Sequence, residues 1–242
     1  MKDNLFKTPK DKLIIAIDNV ASLGEIEDLI KETYLFCGWY KIGLEVSTAY
    51  GIDTMINLVK KYKAKVFFDG KFHDIPNTVG HATAKLVQKN VDMMTVHCSA
   101  GARALERAVE NKGDTCILGV TVLTSHTEED CLHIFGSPVN EKVYQFAEDA
   151  LNSKMDGIVC SPNELLMLCM DPQFNDLIKI TPGIQPDWTV TNDQNRTMTP
   201  KDAILNGATA IVVGRGITQQ KDRAEAAQLV LQQIIDAMLI AK

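Results

Sequence analysis

The sequence predicts a single closed parallel (β/α)8 barrel, and three observations predict it. Eight short apolar runs recur along the 242 residues, an amphipathic stretch follows each run, and ionisable residues gather where the runs end. The length is what one such barrel requires.

The runs are LIIAI (13–17), WYKIG (39–43), AKVFF (64–68), MMTVH (93–97), CILGVTV (116–122), GIVC (157–160), LIKIT (177–181) and AIVVG (210–214). Apolar residues on both alternate faces suit strands covered on both sides, as in a parallel sheet wrapped by helices. Helix signals fall between them. Ser22 and Glu25 form a capping-box pattern ahead of Leu23, Ile26, Leu29 and Ile30, which keep helical spacing. Ser161-Pro162-Asn163-Glu164 repeats the device, and Thr199-Pro200 opens a helix that Gly207 is placed to close. From Asp222 to about Ala241, the residues Ala227, Val230, Leu231, Ile234, Ile235 and Met238 share one face. No G-x-G-x-x-G follows the first run, which argues against an open dinucleotide-binding sheet. No linker or shift of composition divides the chain, so one domain is expected over 1–242. Residues 183–198 are polar, aperiodic and proline-containing. A loop of that length in a compact domain reads as a lid.

Composition narrows the function. With 45% hydrophobic and 23% charged residues the chain is globular, and its net charge of −6 argues against general affinity for nucleic acid or anionic membrane. An anionic substrate would need a local positive pocket. The six cysteines form no CxxC pair and several lie in apolar runs, so they read as reduced core thiols. The opening MKDNLFKTPKDK lacks an apolar signal core, and no apolar run approaches the roughly 20 residues that span a bilayer. A cytoplasmic protein is expected. The five histidines make no H-x-H or HExxH, so no metal site is expected.

In a parallel barrel the chemistry sits at the carboxyl ends of the strands. Those ends supply Asp18, Lys41, Asp69 with Lys71, His97, Thr121 with Thr124, Ser161, Thr181 with Pro182, and Gly214 with Arg215. The densest cluster is FFDGKFHDIPNT, residues 67–78. Asp69 and Lys71 are two apart and share a strand face, while Asp74 follows as the chain leaves the strand. Two carboxylates flanking one ammonium are costly at a barrel mouth unless they hold one another in place. Adjacent residues on a strand face opposite ways, so His97 and Cys98 cannot form a nucleophile pair.

Residues 69–78 resemble the signature of the orotidine 5′-phosphate decarboxylases, D-x-K-x-x-D-I-P-N-T. AID ending at Asp18, KIG at Lys41, VTVLTS at 120–125, TPGI at 181–184, NDQ ending at Gln194 and GRGIT at 214–218 follow in family order. The resemblance covers roughly residues 12 to 220, and the bacterial branch is the closest likeness. It implies decarboxylation of orotidine 5′-monophosphate to UMP and CO2, the last step of de novo pyrimidine synthesis, by a cofactor-free homodimer. It implies that Asp18 and Lys41 contact the ribose hydroxyls, and that Asp69 lies beside the substrate carboxylate. Lys71 would protonate C6, and Thr124 would meet the pyrimidine. Asp74, Ile75 and Thr78 would reach the neighbouring subunit's site. Gln194, Gly214 and Arg215 would bind phosphate, with Pro182 and Gln185 among the substrate contacts.

The residues support such roles on physical grounds. A carbanion on an sp² carbon without a delocalising π-system needs a fixed cation beside it, and an ammonium is also a proton source. Glycines around Arg215 let backbone N–H groups approach a phosphate. Two departures stand out. Gln185 follows TPGI where the bacterial branch usually carries arginine, which removes a cation unless Arg196 compensates. Gly70 replaces the usual aliphatic residue and is expected to loosen packing behind Asp69. Two other readings share these features: a sugar-phosphate decarboxylase or synthase that uses Mg²⁺, with Glu45 as a ligand, and a catalytically dead nucleotide-binding barrel.

Overall fold

Eight parallel strands close in sequence order into a barrel in the computed structural model, which describes residues 5–19, 22–189 and 197–240. The strands are β1 (Leu13–Ile17), β2 (Trp39–Ile42), β3 (Lys65–Phe72), β4 (Met93–His97), β5 (Cys116–Val120), β6 (Gly157–Val159), β7 (Ile178–Thr181) and β8 (Ala210–Val213). The helices are α1 (Leu23–Thr33), α2 (Leu44–Tyr50), α3 (Ile52–Lys61), α4 (Pro76–Gln88), α5 (Ala102–Glu110), α6 (Glu128–Phe135), α7 (Val139–Asn152), α8 (Leu165–Met170), α9 (Pro200–Leu205), α10 (Arg215–Thr218) and α11 (Arg223–Ile240). This is the expected (β/α)8 TIM barrel.

Two cores follow from the two faces of each strand. The outer face packs Ile15, Ile17, Tyr40, Val66, Phe68, Met94 and Ile211 against the helices. The inner face fills the lower barrel with Ile14, Trp39, Phe67, Met93, Leu118, Ile180 and Val212. Phe6 stacks on Trp39 from below, with centroids 5.4 Å apart. Side-chain latches fix the amino ends of the strands. Asp92 accepts from the Val66 N–H at 2.7 Å, Asp156 from the Ile117 N–H at 2.9 Å, and Thr209 Oγ1 from the Lys179 N–H at 3.0 Å. With one end of the barrel filled and latched, the same inward rows continue toward the other end as polar residues.

The local signals are realised with particular differences. Ser161 and Glu164 complete a reciprocal capping box. At α1 the Ser22 hydroxyl accepts from the Glu25 N–H, while the Glu25 carboxylate receives Arg223 at 3.1 Å. Thr199 caps α9, and Gly207 adopts φ +100, where an added Cβ would stand 2.4 Å from Cys169 Sγ. The buried face of α11 includes Ala226 and Ala237, and Leu231, Ile235 and Met238 are only half-buried. Strand β3 runs four residues past the predicted end at 68. The base of the 183–198 segment is tied to the barrel: Gln185 N–H donates to the Met198 carbonyl at 3.0 Å, and Trp188 Nε1 donates to the Gly216 carbonyl at 3.2 Å. The expected lid centre, with Gln194 and Arg196, lies outside the described residues.

Candidate active site

A cavity of about 660 Å³ opens at the carboxyl ends of the strands. That is within the range of sites that enclose a small organic ligand. Asp18, Lys41, Asp69, Lys71, Thr124, Pro182, Gln185, Gly214 and Arg215 all line it. Most sit on the inward parity of their strands, one or two steps above the apolar plug. Lys41 is two residues above Trp39 on β2, and Asp69 two above Phe67 on β3.

Four of these residues form a chain of alternating charge. Lys41 Nζ lies 3.2 Å from Asp18 Oδ1 and 3.5 Å from Asp69 Oδ2. Lys71 Nζ meets that same Asp69 oxygen at 2.7 Å. The other oxygen of Asp69 accepts from Thr95 Oγ1 at 3.0 Å. Burial, with 7% of Asp69 exposed, pushes its carboxyl up, but the ammonium groups of Lys41 and Lys71 and the hydrogen bonds from Lys71 and Thr95 outweigh it. The carboxyl is held below its ordinary value and stays ionised. Gly43 allows this crowding: a Cβ there would stand 3.1 Å from both Asp18 Oδ1 and Lys41 Nζ.

Regular strand spacing does not by itself set Asp69 beside Lys71. Phe68 pairs with Met94 and Phe72 with Val96, so three residues of β3 oppose one of β4. Lys71 takes φ +47 within this irregularity, an uncommon conformation for a residue with a Cβ. The expected loosening behind Asp69 is also corrected. The Phe68 ring fills the space over Gly70, where a Cβ would fall 2.3 Å from Phe68 Cε1.

Among the described residues, Asp69 is the one carboxylate that pairs with Lys71, and the expected second one, Asp74, does not reach it within the chain. Asp74 is exposed, outside the cavity lining, and its Oδ1 accepts from the Ile75 N–H at 2.6 Å. Thr78 is also exposed, and Ile75 is 66% exposed. These three residues come soon after β3 yet do not line the cavity of their own chain. His97, at the end of β4, is not in the lining. It meets His73 edge-on at 5.7 Å, and burial, with the nearby His73 and Lys71, lowers its pKa to about 4, leaving it neutral near pH 7.

Residues not singled out from sequence also shape the cavity. Leu123, Trp188, Gln219 and Gln220 line it. Arg215 stands at the start of α10, and the Gln220 side chain donates to its carbonyl at 3.4 Å. Glu45 Oε2 accepts from the Asn19 N–H at 3.1 Å. Among the described residues no group of three or more His, Cys, Asp or Glu gathers as a metal-binding cluster.

The comparisons with known proteins agree with this geometry. Residues 11–230 match the model of the orotidine 5′-phosphate decarboxylase / HUMPS family. An orotidine 5′-phosphate decarboxylase of Heliobacterium modesticaldum is 35% identical, covering 95% of this chain and 98% of the relative. One from Staphylococcus aureus is 38% identical over 90% of this chain and 95% of its own. The crystal structure of the orotidine 5′-phosphate decarboxylase from Lactobacillus acidophilus superposes with a TM-score of 0.78 at 29% identity, covering 92% of this chain and 98% of that one. A barrel closed in sequence order, an alternating charge array in its mouth and near full-length matches lead to one assignment: the chain belongs to the orotidine 5′-phosphate decarboxylase / HUMPS family.

Proposed function

We propose that the chain decarboxylates orotidine 5′-monophosphate to UMP and CO2, as a cytoplasmic, cofactor-free homodimer of single-domain barrels whose sites are shared across the interface. The observation that carries this reading is the array Asp18–Lys41–Asp69–Lys71 inside one cavity. Its two ammonium groups and two carboxylates sum to no net charge. Positive charge is thus held in place beside the cavity without reorganisation at the moment of reaction.

The bond between C6 and the carboxylate carbon breaks with its electron pair left on C6, and CO2 departs. The Lys71 ammonium stabilises that pair and then gives C6 a proton; the neutral amine regains one from solvent. Asp69 keeps Lys71 aimed and repels the substrate carboxylate. Asp18 and Lys41 hold the ribose hydroxyls, and Thr124 and Pro182 bound the pyrimidine. Gln185, Gln194, Gly214 and Arg215 bind the phosphate, remote binding energy that helps the site close and exclude water. Asp74, Ile75 and Thr78 complete the partner's site, in keeping with their exposure on their own chain.

The test follows the ultraviolet absorbance of orotidine 5′-monophosphate in EDTA-treated protein, wild type beside Lys71→Ala. Turnover by wild type that Lys71→Ala reduces by about 10³-fold or more is expected, since charge stabilisation and proton transfer are lost together. Chelator-sensitive activity would favour the sugar-phosphate reading. Binding of a uridylate without turnover would favour a dead barrel.

A further inference from the structure

We infer that Thr95 is a positioning residue for the reaction, its hydroxyl locking the Asp69–Lys71 pair into the geometry that faces the cavity. The inference rests on the decarboxylase reading above. Thr95 is the one polar residue in the apolar run M-M-T-V of β4 and is fully buried, with 0% exposure. It is also the single β4 residue that opposes Asp69, Gly70 and Lys71, because the register passes from Phe68↔Met94 directly to Phe72↔Val96.

The bulge leaves Lys71 without a Cα partner on β4, and the Thr95 side chain receives its N–H. The Lys71 N–H donates to Thr95 Oγ1 at 2.9 Å, and Thr95 Oγ1 donates its own proton to Asp69 Oδ1 at 3.0 Å. A hydroxyl is the smallest side-chain group that can accept from one and donate to the other at once. One bond holds Lys71 in the left-handed conformation at φ +47. The other turns the Asp69 carboxylate so that its remaining oxygen meets the Lys71 ammonium at 2.7 Å and Lys41 at 3.5 Å. Backbone and carboxylate are therefore pinned by one atom that does not line the cavity. Residues in sparsely populated conformations persist only where their surroundings over-determine them, and Thr95 supplies that constraint from beneath.

Its removal should affect alignment at the reacting carbon more than binding of the nucleotide. Steady-state turnover of orotidine 5′-monophosphate would be measured for wild type, Thr95→Ser, Thr95→Cys and Thr95→Val, with thermal unfolding of each. Thr95→Ser keeps the hydroxyl and should hold kcat within about threefold of wild type, whereas Thr95→Val should lose roughly 10- to 100-fold in kcat with KM changed by no more than about threefold. A folded Thr95→Val with wild-type kcat overturns the inference, as does a Thr95→Ser as slow as Thr95→Val. Should the valine variant not fold, Thr95→Cys replaces it: kcat clearly below that of Thr95→Ser supports the inference, and equal values overturn it. If wild type itself shows no turnover, the decarboxylase reading fails on its own. Crystal structures of wild type and Thr95→Cys then decide the positioning role. Lys71 leaving its left-handed conformation, or its ammonium leaving Asp69, supports it; unchanged geometry overturns it.

Discussion

Lys41 Nζ lies 3.5 Å from the same Asp69 oxygen that Lys71 contacts at 2.7 Å, so one buried carboxylate is shared between two ammonium groups. Burial pushes the Asp69 carboxyl up, and these cations with the two hydrogen bonds pull it below its ordinary 3.8. A carboxylate with a depressed pKa contributes above its unfolded value and loses that contribution as pH falls through the folded value. Wild-type kcat, insofar as it needs ionised Asp69, should therefore hold down to pH values below 3.8 unless the protein unfolds first. Lys41→Met removes the cation whose charge acts most strongly on Asp69 through space. The acid limb of kcat should then move to higher pH. A pH–rate profile of the two proteins checks this, and superimposable limbs would count against the shared carboxylate.

The Phe68 ring and Gly70 form a second dependent pair on the outer face of β3. A Cβ at position 70 would stand 2.3 Å from Phe68 Cε1 and 2.9 Å from Cζ, and the ring is itself 3% exposed and edge-on to Phe72. Gly70→Ala should destabilise the fold by about 1–3 kcal/mol through overpacking. In the Phe68→Leu background the same change should be milder, a positive coupling in a double-mutant cycle. Urea unfolding of the four proteins measures it. Strict additivity would mean that the ring has another place to go.

Much of this was legible in the residues, and the rest was hidden for physical reasons. The apolar runs located every strand because burial on both faces leaves an unmistakable composition. The inward row that ends in Asp18, Lys41 and Asp69 was readable for the same reason. What could not be read was the bulge between Phe68 and Phe72, since register depends on pairing with β4 rather than on β3 alone. Thr95 was visible only as a lone polar residue in an apolar run, a signal that acquires meaning once the bulge leaves the Lys71 N–H facing it. Gly70 likewise reads as a packing defect in the sequence, because the Phe68 ring that fills its place is set by the fold and not by β3 alone.

Gln185 lines the cavity beside Arg215, Gln219 and Gln220, so that wall carries three carboxamides and one guanidinium. Carboxamides donate hydrogen bonds to phosphate without neutralising its charge, whereas arginine does both. Gln185→Arg should lower KM for orotidine 5′-monophosphate by roughly three- to tenfold at low salt, where solvent screens the added charge least. Its kcat should stay near wild type. The gain should shrink as ionic strength rises. An unchanged or higher KM in the variant would show that this wall does not meet the phosphate.

Asp74, Ile75 and Thr78 come soon after the charge array in sequence but do not line its cavity, and Ile75 is 66% exposed. An exposed isoleucine beside a carboxylate that contacts its own backbone is poor design for a monomer and reasonable for a dimer contact. If these residues serve the partner's site, Asp74→Asn and Lys71→Ala each disable a homodimer, but in different places. Mixing the two inactive proteins, with exchange of subunits, produces heterodimers. In each of these one site combines an intact Lys71 with an intact Asp74, while the other lacks both. At random exchange half of the dimers are mixed and half of their sites are intact, so activity should recover to about one quarter of the wild-type value per site. Recovery that depends on time and protein concentration, as subunit exchange requires, supports the shared site. Activity that stays at the level of the parents, after exchange has been demonstrated by labelled subunits, returns Asp74 to a role within its own chain.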